Sequence, residues 1–404
     1  MDCFSSLPPE INIMILLCLK SRSNIKPLLS ASPTILQNYL ESKDYIQQAH
    51  LEAELSGTLL QDALVVANFP SKNRQLHIEK WSQGQLPNPF LHHDAATIDR
   101  LDRLYAQLAR YIEDYITKAT SIYPPRAYMC IPSPYYHVDQ LQFRGQPIGV
   151  DILRVDTLTD VERNRLFQAF FRYELVAKMR DERVARVVAS YFRMFSHGEA
   201  EALRCVYHYM RDLYGAVFAH HAGSQLPDIP AETAVKTRKS VPGGGIRFPN
   251  KICFSPDAFK KHEFPQTPIS KQVGLVGFKW MTLLLSAPRD DRGCPMQLMA
   301  KIPMHLKISR WTRGLVTFEI FEEGEYPCPL DDRRWDDWSE VGQALRDNGS
   351  IAFVYGVRIW STYSDLQKKI YRQRAWPFFD HAKYYPEGSI SRHFPTLDQL
   401  KGKA

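Results

Sequence analysis

The chain has 404 residues, of which 44% are hydrophobic and 24% charged, and its 51 basic and 44 acidic side chains leave a formal net charge of +7. At roughly 100 to 200 residues per domain that length carries two or three packed units, and the composition excludes wholesale disorder. The charge excess is spread along the chain, which excludes the clustered basic footprint of a nucleic-acid binder.

The seven cysteines, Cys3, Cys18, Cys130, Cys205, Cys253, Cys294 and Cys328, are odd in number and never spaced C-x-x-C. That usage is expected of free thiols in a reducing compartment, the cytoplasm or the nucleus.

The first element begins at SSLPPEINIMILLCL, residues 5–19, where every residue from Ile11 to Leu19 except Asn12 is apolar. The run is far shorter than the roughly 20 residues that cross a bilayer. It follows Asp2 and Glu10 with no Lys or Arg before Lys20, unlike a secretory signal. No longer apolar run occurs, so no membrane partner is expected. Pro8 and Pro9 favour a helix start, because a first-turn residue has no intrahelical partner for an N–H and proline has none to lose. A helix is predicted from about Pro9 to Leu19. Ser23 or Asn24 would cap a second short helix carrying Ile25, Leu28 and Leu29, with Pro27 in its first turn. Ser32 as cap and Pro33 at the first position open a third, with Ile35, Leu36, Tyr39, Leu40 and Ile46 at helical spacing. Three short helices over 5–46 bury too little surface to be comfortably stable alone.

A helical domain is predicted over 50–222. Leu101, Leu104, Tyr105, Leu108, Ile112, Tyr115 and Ile116 form one stripe that stops before Pro124 and Pro125. Residues 124–150 read as loop. Thr159 followed by Glu162 makes a capping-box pattern ahead of a long helix, and another helix follows from about Gly198. Residues 223–272, with Pro227, Pro230, Pro242, Pro249, Pro256, Pro265 and Pro268, read as a Pro/Gly-rich loop or linker. A mostly helical region over 273–390 is expected to pack on the middle domain. Within it 334–347 is a predicted helix, and 350–360 is a candidate strand that periodicity alone does not decide. The predicted class is therefore mainly α, a trihelical unit followed by an irregular bundle-like domain, with room for a minor β element near the C-terminus.

Chemistry-bearing motifs are few. No phosphate loop, H-E-x-x-H or nucleophile elbow is present, and the 242–249 stretch PGGGIRFP lacks the strand-to-helix setting of a nucleotide site. The pairs His92, His93 with Asp94, and His220 with His221, fall short of three or four converging ligands and read as exposed or capping residues. The basic run 236–239 reads as a solvated loop, and 329–340 as a charged helix face with Trp335 and Trp338 turned inward. The basic and aromatic run 368–385 resembles single-strand binders in composition, but packing of Trp376, Phe378 and Phe379 accounts for it better. No metal, cofactor or catalytic residue is assigned, and no enzyme is expected.

LPPEINIMILLCL, the short helix after it and ASPTILQNYL together resemble an F-box of the filamentous-fungal type, whose opening is Leu-Pro, a variable residue, Glu and an apolar helix. Leu7, Pro8 and Glu10 match the opening, with Ile11, Ile15, Leu16 and Leu19 on the helix pattern. Segments 157–175 and 195–210 are similar to motifs of the helical region in such proteins. The resemblance implies a non-catalytic substrate receptor of a cullin-based ubiquitin ligase. Its F-box would dock on a Skp-type adaptor, and through it on a cullin, while the remainder holds a target protein. The implied adaptor-binding residues are Leu7, Pro8, Ile11, Ile15, Leu16, Leu19, Leu28, Leu29 and Pro33. A scaffold that binds the adaptor without driving degradation, and a cryptic enzyme or small-molecule-binding helical protein, are the alternatives.

Overall fold

The computed structural model describes residues 2–19, 22–122, 127–134, 140–143, 146–179, 195–219, 276–286, 339–347, 362–386 and 393–401. The chain is mainly α and divides into two compact units. The first comprises Met1–Ala109 with Val155–Thr159, and the second Arg110–Arg154 with Asp160–Ala404.

In the first unit α1 (Pro9–Cys18), α2 (Arg22–Ala31) and α3 (Pro33–Glu41) close around Leu16, Ile25 and Ile35, with Ile46 from α4 (Lys43–Glu54) as a fourth member. Ile13, Leu17, Leu19, Leu28, Leu29 and Tyr39 pack half-buried against it. Each large aliphatic side chain so buried contributes roughly 1.5 to 3 kcal/mol. Ser32 caps α3 as its sequence implied, its hydroxyl accepting from the Ile35 N–H at 3.0 Å.

Two local expectations are corrected. The apolar pattern running to Ile46 is two helices, because Ser42 leaves the helical region at φ −114° and ψ 19° between them. α2 starts at Arg22, so Pro27 lies inside it and not in its first turn. Pro27 is exposed, where water can hydrate the carbonyl that a proline leaves unpaired.

The unit continues through α5 (Gly57–Ala67), α6 (Arg74–Ser82) and the first part of α7 (Ala95–Thr120). Asp62 accepts the buried Trp81 indole N–H at 2.7 Å, and Gln61 exchanges two side-chain hydrogen bonds with the Leu86 backbone. The boundary expected near 46–50 is thus absent from the division of the chain, since α4 supplies Ile46 to the first cluster and buried Leu51 further along the same helix.

The second unit centres on α8 (Asp160–Lys178) packed against α9 (His197–Ala219). α8 buries Leu166, Phe167, Phe170, Phe171 and Leu175 together with Glu162, Arg172 and Glu174. Glu162 accepts the Asp380 N–H and the Tyr384 hydroxyl. A reciprocal cap opens α9: the Glu199 N–H donates to the Ser196 hydroxyl at 3.2 Å and the Ser196 N–H to the Glu199 carboxylate at 2.9 Å. Also in this unit are α10 (Phe278–Ser286), α11 (Glu340–Asp347), α12 (Thr362–Gln373) and α13 (Leu397–Lys401). A two-residue antiparallel pair, β1 (Gln142–Phe143) with β2 (Gln146–Pro147), lies in the stretch read as loop. The candidate strand 350–360, the linker 223–272, the basic run 236–239, His220 and His221, and all but the end of the acidic run 329–340 lie outside the described residues.

Candidate docking surface

The N-terminal turn is held by Asp2. Its carboxylate accepts from the Phe4 N–H at 3.0 Å, the Ser32 hydroxyl at 2.7 Å and the Thr34 N–H at 3.1 Å, the last two at the start of α3. The Ser32 hydrogen bond, then that of Phe4, hold the carboxyl down at about 2. The Phe4 side chain packs on the core of α1–α3, and its carbonyl accepts from the Asn12 amide at 3.4 Å. The turn is therefore pinned to α1 and to α3, which fixes where Leu7 and Pro8 stand.

α1 is apolar all round, and its packing sorts the residues. Asn12 and Leu16, one turn apart, face inward and are fully buried. Ile11 and Met14 face outward at 41% and 58% exposure, with exposed Cys18 one further turn along and Leu7 one turn before. These positions follow the i, i+3, i+7 spacing of a single helical edge. α3 carries a second such edge at Pro33, Leu36 and Leu40, lining a shallow groove with Gln37 and Glu41, which bond to each other at 3.0 Å.

Of the nine residues assigned to adaptor binding, Leu7, Pro8, Ile11 and Pro33 lie exposed. Ile15, Leu19, Leu28 and Leu29 are half-buried, the last three against the core. Leu16 is corrected: it is the centre of the cluster, because α1 turns its Asn12–Leu16 edge toward α3 and α4. Met14, Leu36 and Leu40 were missed as surface residues, although their spacing with Ile11 and Pro33 was available in the sequence.

The second unit holds a different concentration of chemistry. Arg372 pairs with Glu201 through two nitrogens at 2.6 and 3.0 Å, and both are buried. Lys118 reaches Asp114 at 2.7 Å and the Cys130 carbonyl at 2.9 Å, while the Tyr209 hydroxyl also donates to Asp114. Arg374 donates to the Ala119 and Ser121 carbonyls, and Gln373 to Asp212 at 2.8 Å. Burial pushes Asp114 up and His208 down. The arrangement is that of an internal brace, since these side chains are taken up by one another and by backbone carbonyls. Trp376, Phe378 and Phe379 are fully buried, so packing does account for the basic and aromatic run.

His92 and His93 are exposed, and Asp94 caps α7 by accepting from the Thr97 N–H and hydroxyl. Among the described residues no group of three or more His, Cys, Asp and Glu is placed to hold a metal, and no helix is long and apolar enough to cross a membrane. Comparisons with protein-family models, curated proteins and solved structures return no match.

Proposed function

We propose that this chain is the substrate-recognition subunit of a cullin-based ubiquitin ligase, docking on a Skp-type adaptor through α1–α3 and holding a target protein with the remainder. The observation that carries the reading is the exposed edge of Ile11 and Met14, with Leu7 in the turn just ahead, on a helix whose opposite edge is already spent on its own core. An apolar edge in water is free to be covered, and covering it is where association free energy comes from. The Leu-Pro-x-Glu opening at Leu7–Glu10 agrees with this use. The brace of the second unit suits a rigid receptor body, with reaction chemistry left to the other subunits.

The test is Ile11→Asp with Met14→Asp. Each change removes an aliphatic contact and puts a carboxylate into a patch that docking would desolvate, and an interface hot spot exceeds about 2 kcal/mol. The pair is expected to weaken adaptor binding at least about 100-fold by titration calorimetry. Co-purification of cullin with the adaptor supports a ligase receptor, and adaptor without cullin supports a non-degradative scaffold. Unchanged adaptor binding would remove the docking assignment.

A further inference from the structure

We propose that the buried turn at residues 372–376 is a proton-controlled latch of the second unit, closed while the Asp212 carboxyl carries its proton and loosened when that proton leaves. This inference rests on the second unit alone and stands or falls separately from adaptor docking.

The turn is fixed in two ways. The carbonyls of Arg372, Gln373 and Arg374 each accept one tyrosine hydroxyl at 2.7 Å, from Tyr115, Tyr128 and Tyr385 in that order. The side chains of the same three residues are buried and anchor to three different places. Ala375 follows at φ 54°, a left-handed conformation that an L residue keeps only when its surroundings hold it. The segment thus stores strain and depends on its anchors.

Those anchors are unequal. Arg372 meets Glu201, so the two charges cancel. Arg374 donates to carbonyls at the C-terminal end of α7, where the helix dipole favours a cation. Gln373 is held by Asp212, a buried carboxyl whose hydrogen bond comes from that neutral amide and which makes no ion pair among the described residues. The groups facing it are Arg211 beside it on α9, Lys369 with Gln373 on α12, Lys118 on α7 and the Tyr128 ring. Arg211, Lys369 and Lys118 favour the carboxylate, but Lys118 is bound to Asp114. One turn earlier on α9, His208 lies 3.1 Å from Arg372, and burial followed by the Arg372 charge keeps it neutral. Burial outweighs the Gln373 hydrogen bond and these cations, and pushes Asp212 up to about 7 from an ordinary 3.8.

The sign follows from linkage. With the closed-state pKa above the open-state one, the stabilisation is complete below about 4 and is lost as pH rises through about 7. Opening lets water hydrate the carboxylate, so the open fraction climbs as pH rises from about 4 and levels off once pH has passed about 7.

Hydrogen exchange of the full chain, followed by mass spectrometry on peptides covering 370–380 and corrected for intrinsic exchange, reads the latch directly. In the wild-type chain protection is expected to fall about tenfold or more between pH 6 and pH 8.5. Asp212→Asn, which cannot ionise, is expected to hold the same protection at both. Lys369→Met, at a half-buried position, removes a cation that favours the carboxylate and is expected to move the fall to higher pH. Wild-type protection without pH dependence, an equal fall in Asp212→Asn, or a fall in Lys369→Met that stays put or moves to lower pH would each overturn the proposal. If Asp212→Asn fails to fold, the direction of the Lys369→Met shift decides it.

Discussion

The N-terminal helices and the second unit invert each other. α1 and α3 turn Ile11, Met14, Leu36 and Leu40 toward water, whereas α7, α9 and α12 turn Asp114, Lys118, Glu201 and Arg372 away from it. The difference lies in what each kind of misplaced side chain demands. An exposed aliphatic asks for nothing within its own chain, because folding leaves its hydration nearly unchanged. A buried ion has lost its water and must find its counter-charge and hydrogen bonds inside the protein. The first arrangement keeps free energy available for association, and the second commits it to internal order.

Removing one partner of a buried pair tests this contrast most severely. Arg372→Ala removes the two-nitrogen partner of buried Glu201, leaving it only the longer Arg204 contact at 3.3 Å, and removes an anchor of the turn, so urea unfolding should report a loss of about 3 kcal/mol. Replacing both partners, Arg372→Met with Glu201→Leu, should recover much of that loss, because the fully buried charges go together and the cation left behind, Arg204, is partly exposed to water. A double variant as unstable as the single one would show that the ion pair was not the source of the cost.

A smaller loss is expected at Gly277, which sits at φ +85° before α10. A Cβ there would fall 2.8 Å from a Glu174 carboxylate oxygen and 2.9 Å from the Ala177 methyl. The same Glu174 accepts the Phe278 N–H at 2.8 Å, so it cannot retreat without uncapping the helix. Gly277→Ala should therefore destabilise by about 2 kcal/mol, from an unfavourable φ and a displaced cap. A change within about 0.5 kcal/mol in a denaturant titration would mean that α10 shifts without penalty.

The smallest effect is expected where the contrast says it should be. Leu40 is 63% exposed on α3, and Leu40→Lys should alter stability by less than about 0.5 kcal/mol in thermal melts. A loss of 2 kcal/mol or more would place Leu40 in a contact internal to the chain and would sharpen the limits of the exposed edge.

How much was legible differs between the two regions. The starts of α1 and α3 were, because Pro8, Pro9, Ser32 and Pro33 act on the backbone within one turn and need no distant partner. The long helices were legible from period 3.6, as in the stripe from Leu101 to Ile116. The exposed edge was legible in part. Leu7, Ile11 and Pro33 follow from the motif, yet the motif also assigns the buried Leu16 to the surface and says nothing of Met14, since a helix apolar on nearly every side gives no direction to its core. The split at Ser42 was missed because Leu40 and Ile46 fit one continuous spacing as well as two helices.

Amino-acid order by itself determined the mainly α class, the caps, and the existence of an N-terminal helix with more apolar surface than one core can use. Those follow from local sterics and from side-chain periodicity, which act over a few residues. Tertiary structure alone decided which edge of α1 faces water, and that Arg372, Gln373 and Arg374 are anchors and not a solvated basic run. Both outcomes depend on partners far along the chain, Ile25, Ile35 and Ile46 in one case and Glu201, Asp212 and the end of α7 in the other. A charge enters a core only if its counter-charge arrives at the same place, and that meeting is fixed by how helices pack and not by spacing within any one of them.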